Sequence, residues 1–209
     1  MVIVNTLLSA RQLTFQRHGL NVFQPVDLAL NPGHAIVVQG SNGAGKTTLL
    51  RLLAGVLEPS DGEVLFEQDP LFHGHLPAVK GDLSCRENLA FERKLGASSV
   101  SIASALLQVG LAGLGARPAR SLSAGQTRRL GLARLLVRTS PIWLLDEPYA
   151  SLDADGCHQV DQLIHQHLET GGGVILSTHQ QMPDLQHPIQ YLAVAPVGNG
   201  CPQGASSDA

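Results

Sequence analysis

The sequence predicts an α/β fold in which one core is assembled from both ends of the chain and a helical segment is inserted between them. Three observations predict it. Apolar strand-like runs surround a single helical period before Phe66, no strand candidate lies between about Cys85 and Val137, and a strand-helix-strand pattern resumes at Ile142.

Taken in order, apolar alternation marks strands around Leu13 to Phe15 and at Val26 to Leu30. The run Ala35 to Gln39 reads as a buried strand after the turn residues Asn31, Pro32 and Gly33. After Gly40 the period changes: Leu49, Leu50, Leu52, Leu53 and Val56 predict a helix from Lys46 to Leu57, closed by Pro59 and an Asp61-Gly62 turn, and Glu63 to Phe66 resumes as a strand. In the middle third, Leu89, Ile102, Leu106, Leu107, Leu130 and Leu135 follow a helical spacing. Ile142 to Leu145 predicts a strand, Ala154 to Thr170 a helix, Val174 to Ser177 a strand and Tyr191 to Val194 a last one. The small and polar stretch 198–209 favours disorder.

A chain of 209 residues with 44% hydrophobic and 15% charged residues suffices for one sizeable core. The expectation is a single domain, residues 1–209, with an α/β core at 1–84 and 139–197, a helical subdomain at 85–138 and a flexible tail at 198–209. The net charge of -3 supplies no broad basic surface, which argues against nonspecific binding to nucleic acid or anionic lipid. Cys85, Cys157 and Cys201 are far apart and form no CxxC pair, so a reducing compartment is the simplest setting. No stretch approaches the roughly 20 apolar residues needed to span a bilayer, so any membrane attachment is expected to be indirect.

Gly40-Ser41-Asn42-Gly43-Ala44-Gly45-Lys46-Thr47 matches GxxxxGK[ST] between a predicted strand and a predicted helix, the context this motif requires. Its glycines let backbone amides curl around phosphates, the helix N-terminus adds positive potential, Lys46 reaches the terminal phosphates, and the Thr47 hydroxyl can ligate Mg²⁺. Thr48 follows it directly. A glycine-rich turn with a helix cap is the bland alternative, and the spacing disfavours it.

Ile142 to Glu147 is an apolar strand ending in two acids, which places carboxylates at the carboxyl edge of the sheet where ligands of open α/β sheets gather. Asp146 suits Mg²⁺, directly or through water, and Glu147 is positioned to polarise an attacking water as general base. Leu122-Ser123-Ala124-Gly125-Gln126 precedes a helix carrying Arg128, Arg129 and Arg134, so Ser123 and the following amides can present a second anion-binding helix end. Alone this would read equally as an N-cap; its fixed place between the phosphate loop and the acidic strand makes it specific.

With these three motifs in this order, the sequence resembles the ABC ATPases over nearly the whole chain. Walker A falls at Gly40 to Thr47, the signature at Leu122 to Gln126 and Walker B at Ile142 to Glu147. The resemblance implies a P-loop NTPase (RecA-like) core with an inserted ABC α-helical subdomain, with ATP and Mg²⁺ as ligands. It also implies that Ser151-Leu152-Asp153 is the D-loop and that His179 is the switch histidine contacting the γ-phosphate and the general base. One Walker A and one signature imply a homodimer that sandwiches two ATP molecules, each between the Walker A of one subunit and Ser123, Ala124, Gly125 and Gln126 of the other. A membrane partner would be contacted near the Q-loop and helical subdomain.

The length and the phrases GSNGAGKTTLLRLLAG from Gly40, Gly74-His75 followed by Lys80 and Glu87-Asn88-Leu89, SLSAGQTRRLGLARL from Ser121 and WLLDEP from Trp143 look like the ATP-binding subunits of the cytochrome c maturation system. That resemblance implies an integral membrane permease partner, other cytochrome c maturation components, and a location on the cytoplasmic face of the bacterial inner membrane. ATP hydrolysis would drive heme export or release of a heme-loaded chaperone; an ABC exporter of a lipid, lipoprotein or drug is the alternative. Three departures from the general ABC pattern stand out. His75 occupies the Q-loop glutamine position, where it could contact Mg²⁺ or water; Arg17 stands where an aromatic stacks on adenine, with Phe15 and His18 as substitutes; and Ala124 replaces the usual signature glycine. Of His158, His165 and His167 only the first two share a helix face, so solvated helix histidines are expected rather than a heme or metal site. No CxxCH is present for covalent heme attachment.

Overall fold

The structure, a computed structural model, describes residues 6–96, 98–178 and 183–196. In chain order the strands and helices are β1 (Leu8–Thr14), β2 (Gln16–Arg17), β3 (Leu20–Asn21), β4 (Val26–Leu30), β5 (Ala35–Gln39), α1 (Lys46–Leu53), β6 (Asp61–Phe66), β7 (Leu71–His73), α2 (Cys85–Arg93), α3 (Ile102–Gln108), α4 (Ala124–Leu136), β8 (Ile142–Asp146), α5 (Ala154–Glu169), β9 (Gly173–Ser177) and β10 (Ile189–Ala193).

Two main sheets organise the molecule. A parallel sheet runs in the order β10-β5-β9-β8-β7, and an antiparallel sheet runs β4-β1-β6, with β2 and β3 pairing as a small ribbon. Side chains alternate across the parallel sheet, so its strands divide their residues between two cores. Ile36, Val38, Ile142, Leu144 and Ile175 face a core shared with Leu49, Leu50, Leu52 and Leu53 of α1 and with the antiparallel sheet. Ala35, Val37, Trp143, Leu145, Val174 and Leu176 face a second core, which α5 fills with Cys157, Val160, Leu163, Ile164 and Leu168. That second core continues into the helical layer through Leu89, Leu106, Leu130 and Leu135. A leucine as buried as Leu49 or Leu53 contributes about 1.5–3 kcal/mol relative to an exposed one, so Leu49→Ala would loosen the very helix that carries the phosphate loop.

The differences from the sequence reading are local. The helix expected to reach Leu57 stops at Leu53, because the backbone N–H groups of Val56 and Leu57 both turn back to the carbonyl of Arg51 and close the last turn. Asp61 and Gly62, expected as a turn, begin β6, and β1 begins earlier than Leu13. The three-residue β7, too short to show a period, was not expected; it runs parallel to β8 with Leu71 opposite Trp143. Leu107 is exposed rather than packed. No strand occurs between residues 85 and 138 among the described residues. The stretch 198–209 lies outside the described residues.

Candidate functional site

The loop from Gly40 to Gly45 joins β5 to α1. Gly45 precedes the helix with φ 101, and a Cβ there would stand 2.8 Å from Phe23 and 2.9 Å from Val22, so only glycine fits. It provides no side-chain cap, which leaves the amides of the first helical turn to an anion. Lys46 is largely buried, and its ammonium spans the loop, donating to the carbonyls of Gly40 at 2.8 Å and Ser41 at 3.1 Å. Burial pushes its pKa down, against the raising effect of the nearby Glu147 and Asp146 carboxylates. Ser41 and Asn42 are exposed at the tip, whereas Ala44 is buried in the core beneath.

At the carboxyl end of β8, Asp146 is 1% exposed and holds the Thr47 hydroxyl, which donates to its two oxygens at 3.1 and 2.9 Å. The neighbouring β9 adds Ser177, whose hydroxyl donates to Asp146 Oδ1 at 2.7 Å and accepts from the Glu147 backbone N–H at 3.1 Å. Glu147 itself has a left-handed backbone, φ 54.

These residues meet in one cleft of about 460 Å³, lined by Arg17, Val22, Gly43, Gly45, Lys46, Thr47, Thr48, His75, Glu147 and Ala150. Of the three adenine-stacking candidates, Arg17 lines it; Phe15 is half-buried against the core and His18 is exposed. A second cleft of about 310 Å³ is lined by Pro77, Leu122, Ala124, Thr127, Arg128 and Ser151, and His75 and Ala150 belong to both. A third cleft, of about 550 Å³ around Trp143 and His167, shares no residue with either. His179 lies outside the described residues.

The signature segment opens α4. Ser123 is its N-cap, accepting from the Gln126 backbone N–H at 3.2 Å, while the Gln126 side chain accepts from the Ser123 N–H at 3.0 Å. The capping role and the anion-facing role are therefore compatible: Ser123 and Ala124 are exposed at the end of the helix. Gly125 packs on the segment after Walker B, where a Cβ would stand 3.2 Å from the Ser151 carbonyl.

Two residues that join these segments were not singled out from sequence. Ser177 had no distinguishing signal beyond its place at the end of a strand. Arg128 had one: α4 is buried on several sides, at Leu130, Gly131, Leu132, Ala133 and Leu135, so an arginine within it had to find partners indoors. Its guanidinium donates to the backbone carbonyls of Gly74, His75, Asp146 and Glu147.

The histidines of α5 correct an expectation. His158 and His165 keep solvent contact, bonding Gln162 and Glu169, but His167 is mostly buried and stacks on Trp143 with ring centroids 3.8 Å apart. Burial pulls its pKa down to about 4, against the raising effect of hydrogen bonds to the backbone at Pro141 and Gly173, so it is a neutral packing element. Among the described residues no group of three or more His, Cys, Asp or Glu could hold a metal ion.

The ABC transporter family profile matches residues 23–150. The chain is 47% identical over 185 residues to the cytochrome c biogenesis ATP-binding export protein CcmA of Xanthomonas campestris pv. campestris (strain 8004), covering 83% of this chain and 86% of that protein. It is 40% identical over 200 residues to the protein of the same name from Escherichia coli (strain K12), covering 90% of this chain and 96% of that one. Among solved structures, an ATP binding subunit of an ABC transporter superposes with TM-score 0.81 at 20% identity, covering 91% of this chain and 86% of that one. A dimeric ATP-binding cassette in a post-hydrolysis state, bound to ADP and Pi, superposes with TM-score 0.75 at 22% identity, covering 83% and 88%. The chain belongs to the ABC transporter family, as an ATPase domain of that family.

Proposed function

We propose that the chain is the ATP-hydrolysing subunit of a membrane ABC complex for cytochrome c biogenesis, coupling hydrolysis to heme export or to release of a heme-loaded chaperone. The observation that carries the catalytic part is the convergence of Lys46, Thr47, His75, Glu147 and Arg17 on one cleft. The identity to proteins named for cytochrome c biogenesis supports the cargo.

Within this reading Gly40 to Thr48 bind the ATP phosphates, with Lys46 turning from the loop carbonyls to the terminal phosphates. The Thr47 hydroxyl beside the Asp146 carboxylate is a pair of hard oxygen donors that fits Mg²⁺, and His75 stands at the same cleft as a further contact. Mg²⁺, when bound, neutralises charge on the phosphate oxygens. Glu147 accepts a proton from the attacking water, His179 contacts the γ-phosphate, and Arg17 stacks on the base. Ser123, Ala124, Gly125 and Gln126 close the nucleotide of a second copy in a homodimer, the exposure of Ser123 and Ala124 supporting a role in trans. The helical subdomain, residues 85–138, transmits closure to a CcmB-like permease and the other maturation components at the cytoplasmic face of the inner membrane. Exposed Leu76, Phe91 and Leu107 near the Q-loop segment and on α2 and α3 suit such a contact. Among the described residues no helix is long and apolar enough to cross a membrane.

The experiment is covalent heme in periplasmic c-type cytochromes of a strain lacking this gene, complemented with wild type or Lys46→Ala. Restoration by wild type alone is expected. Normal cytochromes without the gene would leave an ATPase serving another cargo. In the purified chain, Glu147→Gln should retain ATP and accumulate as a dimer.

A further inference from the structure

The face of α4 that meets the rest of the molecule carries Arg128, Gly131 and Arg134, three residues apart and therefore roughly in line. The two arginines grip the same neighbouring segment, residues 73–77. Arg128 Nη1 donates to the carbonyls of Gly74 and His75, and Arg134 Nη1 donates to that of Pro77 at 3.0 Å. Between them Gly131 lets the segment approach: a Cβ there would stand 2.7 Å from both the His73 ring and the Pro77 side chain.

Arg128 also reaches further. Its Nη2 donates to the carbonyl of Asp146 at 2.9 Å and to that of Glu147, so one guanidinium joins three pieces of chain. The side chain is 4% exposed, and among the described residues no carboxylate oxygen accepts from it. A buried cation solvated by peptide carbonyls fixes the orientation of those peptides, and the planar fork of arginine can do so on two sides at once where a lysine cannot.

We propose that Arg128 is a positioning residue: it locks α4, which begins at the signature, to the peptides that carry His75 and Glu147, so that the signature end and the hydrolytic carboxylate move as one body. The inference rests on the ATPase reading given above. Arg128 touches no reacting atom; it sets where Glu147 stands.

The test uses the purified full chain. Arg128→Gln should lower kcat for ATP by about tenfold or more, because small misplacements of a catalytic group are expensive in rate, while KM for ATP stays within about threefold. Amide hydrogen exchange should rise at His75, Leu76, Glu147, Tyr149 and Ala150 and not in α1, and Arg128→Lys should recover only part of kcat. Wild-type kcat, or a kcat loss matched by equal weakening of ATP binding, would overturn the proposal. Should Arg128→Gln fail to fold, Gly131→Ala carries the same test by pushing residues 73–77 away: reduced kcat with retained ATP affinity supports it, unaltered kcat sinks it. Lys46→Ala in the same assay keeps the two ideas apart. Turnover by Lys46→Ala would remove the ATPase reading itself, whereas an inactive Lys46→Ala beside a normal Arg128→Gln removes only this inference.

Discussion

Helices α2 and α4 begin with the same device and different chemistry. Ser84 caps α2 and Ser123 caps α4, each in a reciprocal box with the residue three positions on, Glu87 in one case and Gln126 in the other. Glu87 accepts from the Ser84 hydroxyl and N–H at 2.6 and 2.7 Å, and these bonds hold its carboxyl below the ordinary glutamate range. At α2 the negative charge sits on the positive helix end and satisfies it. At α4 the box is neutral, so the helix end is capped without being discharged. The difference teaches that the two halves of an N-cap, hydrogen bonding and charge, can be separated, and the uncharged cap at α4 is the one that the proposed anion-binding role requires.

The largest way to break this contrast is to make α4 resemble α2. Gln126→Glu keeps the box but places a carboxylate where a partner's nucleotide phosphates would dock, and ATP turnover should fall by roughly 100-fold while the melting temperature holds. Turnover near wild type would remove the signature from the nucleotide sandwich. Ser123→Ala should be milder, with about 1 kcal/mol of stability lost in urea unfolding and turnover reduced by about fivefold as the first turn frays. Ser84→Ala should cost a similar ~1 kcal/mol of stability with turnover unchanged, which isolates capping from anion binding. The smallest effect is on acid sensitivity. A carboxyl whose folded pKa is lowered contributes stability above its unfolded value, and loses it as pH falls through the folded value. Amide exchange at the start of α2 should therefore quicken below the ordinary glutamate range and that at the start of α4 should not; Glu87→Gln should erase the difference.

Much of this was readable in the sequence, for reasons that differ by element. β4 and β5 have the bounds their apolar patterns imply, because each is flanked by turn residues and buried on at least one face. The phosphate loop and the acids ending β8 were legible because their residue types recur at a fixed spacing next to a strand, a pattern that local sequence carries by itself. β7 was not, since three residues carry no period, yet it delivers His75 to the cleft. His167 was misread as solvated because nothing local reveals that Trp143, far away in sequence, supplies a stacking partner. Arg128 was seen as one of several basic residues on a helix; that its partners are four carbonyls from two other segments depends on tertiary placement alone.

Glu147 stands at φ 54, a backbone conformation that costs an ordinary L-residue about 1–2 kcal/mol and costs glycine almost nothing. Glu147→Gly should therefore lose ATP turnover yet unfold at slightly higher denaturant, by under about 1 kcal/mol once the freer unfolded chain is counted. With Glu147 as the general base proposed above, random drift toward a sturdier protein and retention of a working one pull in opposite directions at this position. A lineage that stopped needing the activity would be expected to exchange this residue early, which makes the amino acid at 147 a practical marker for telling active members of such a family from silent ones.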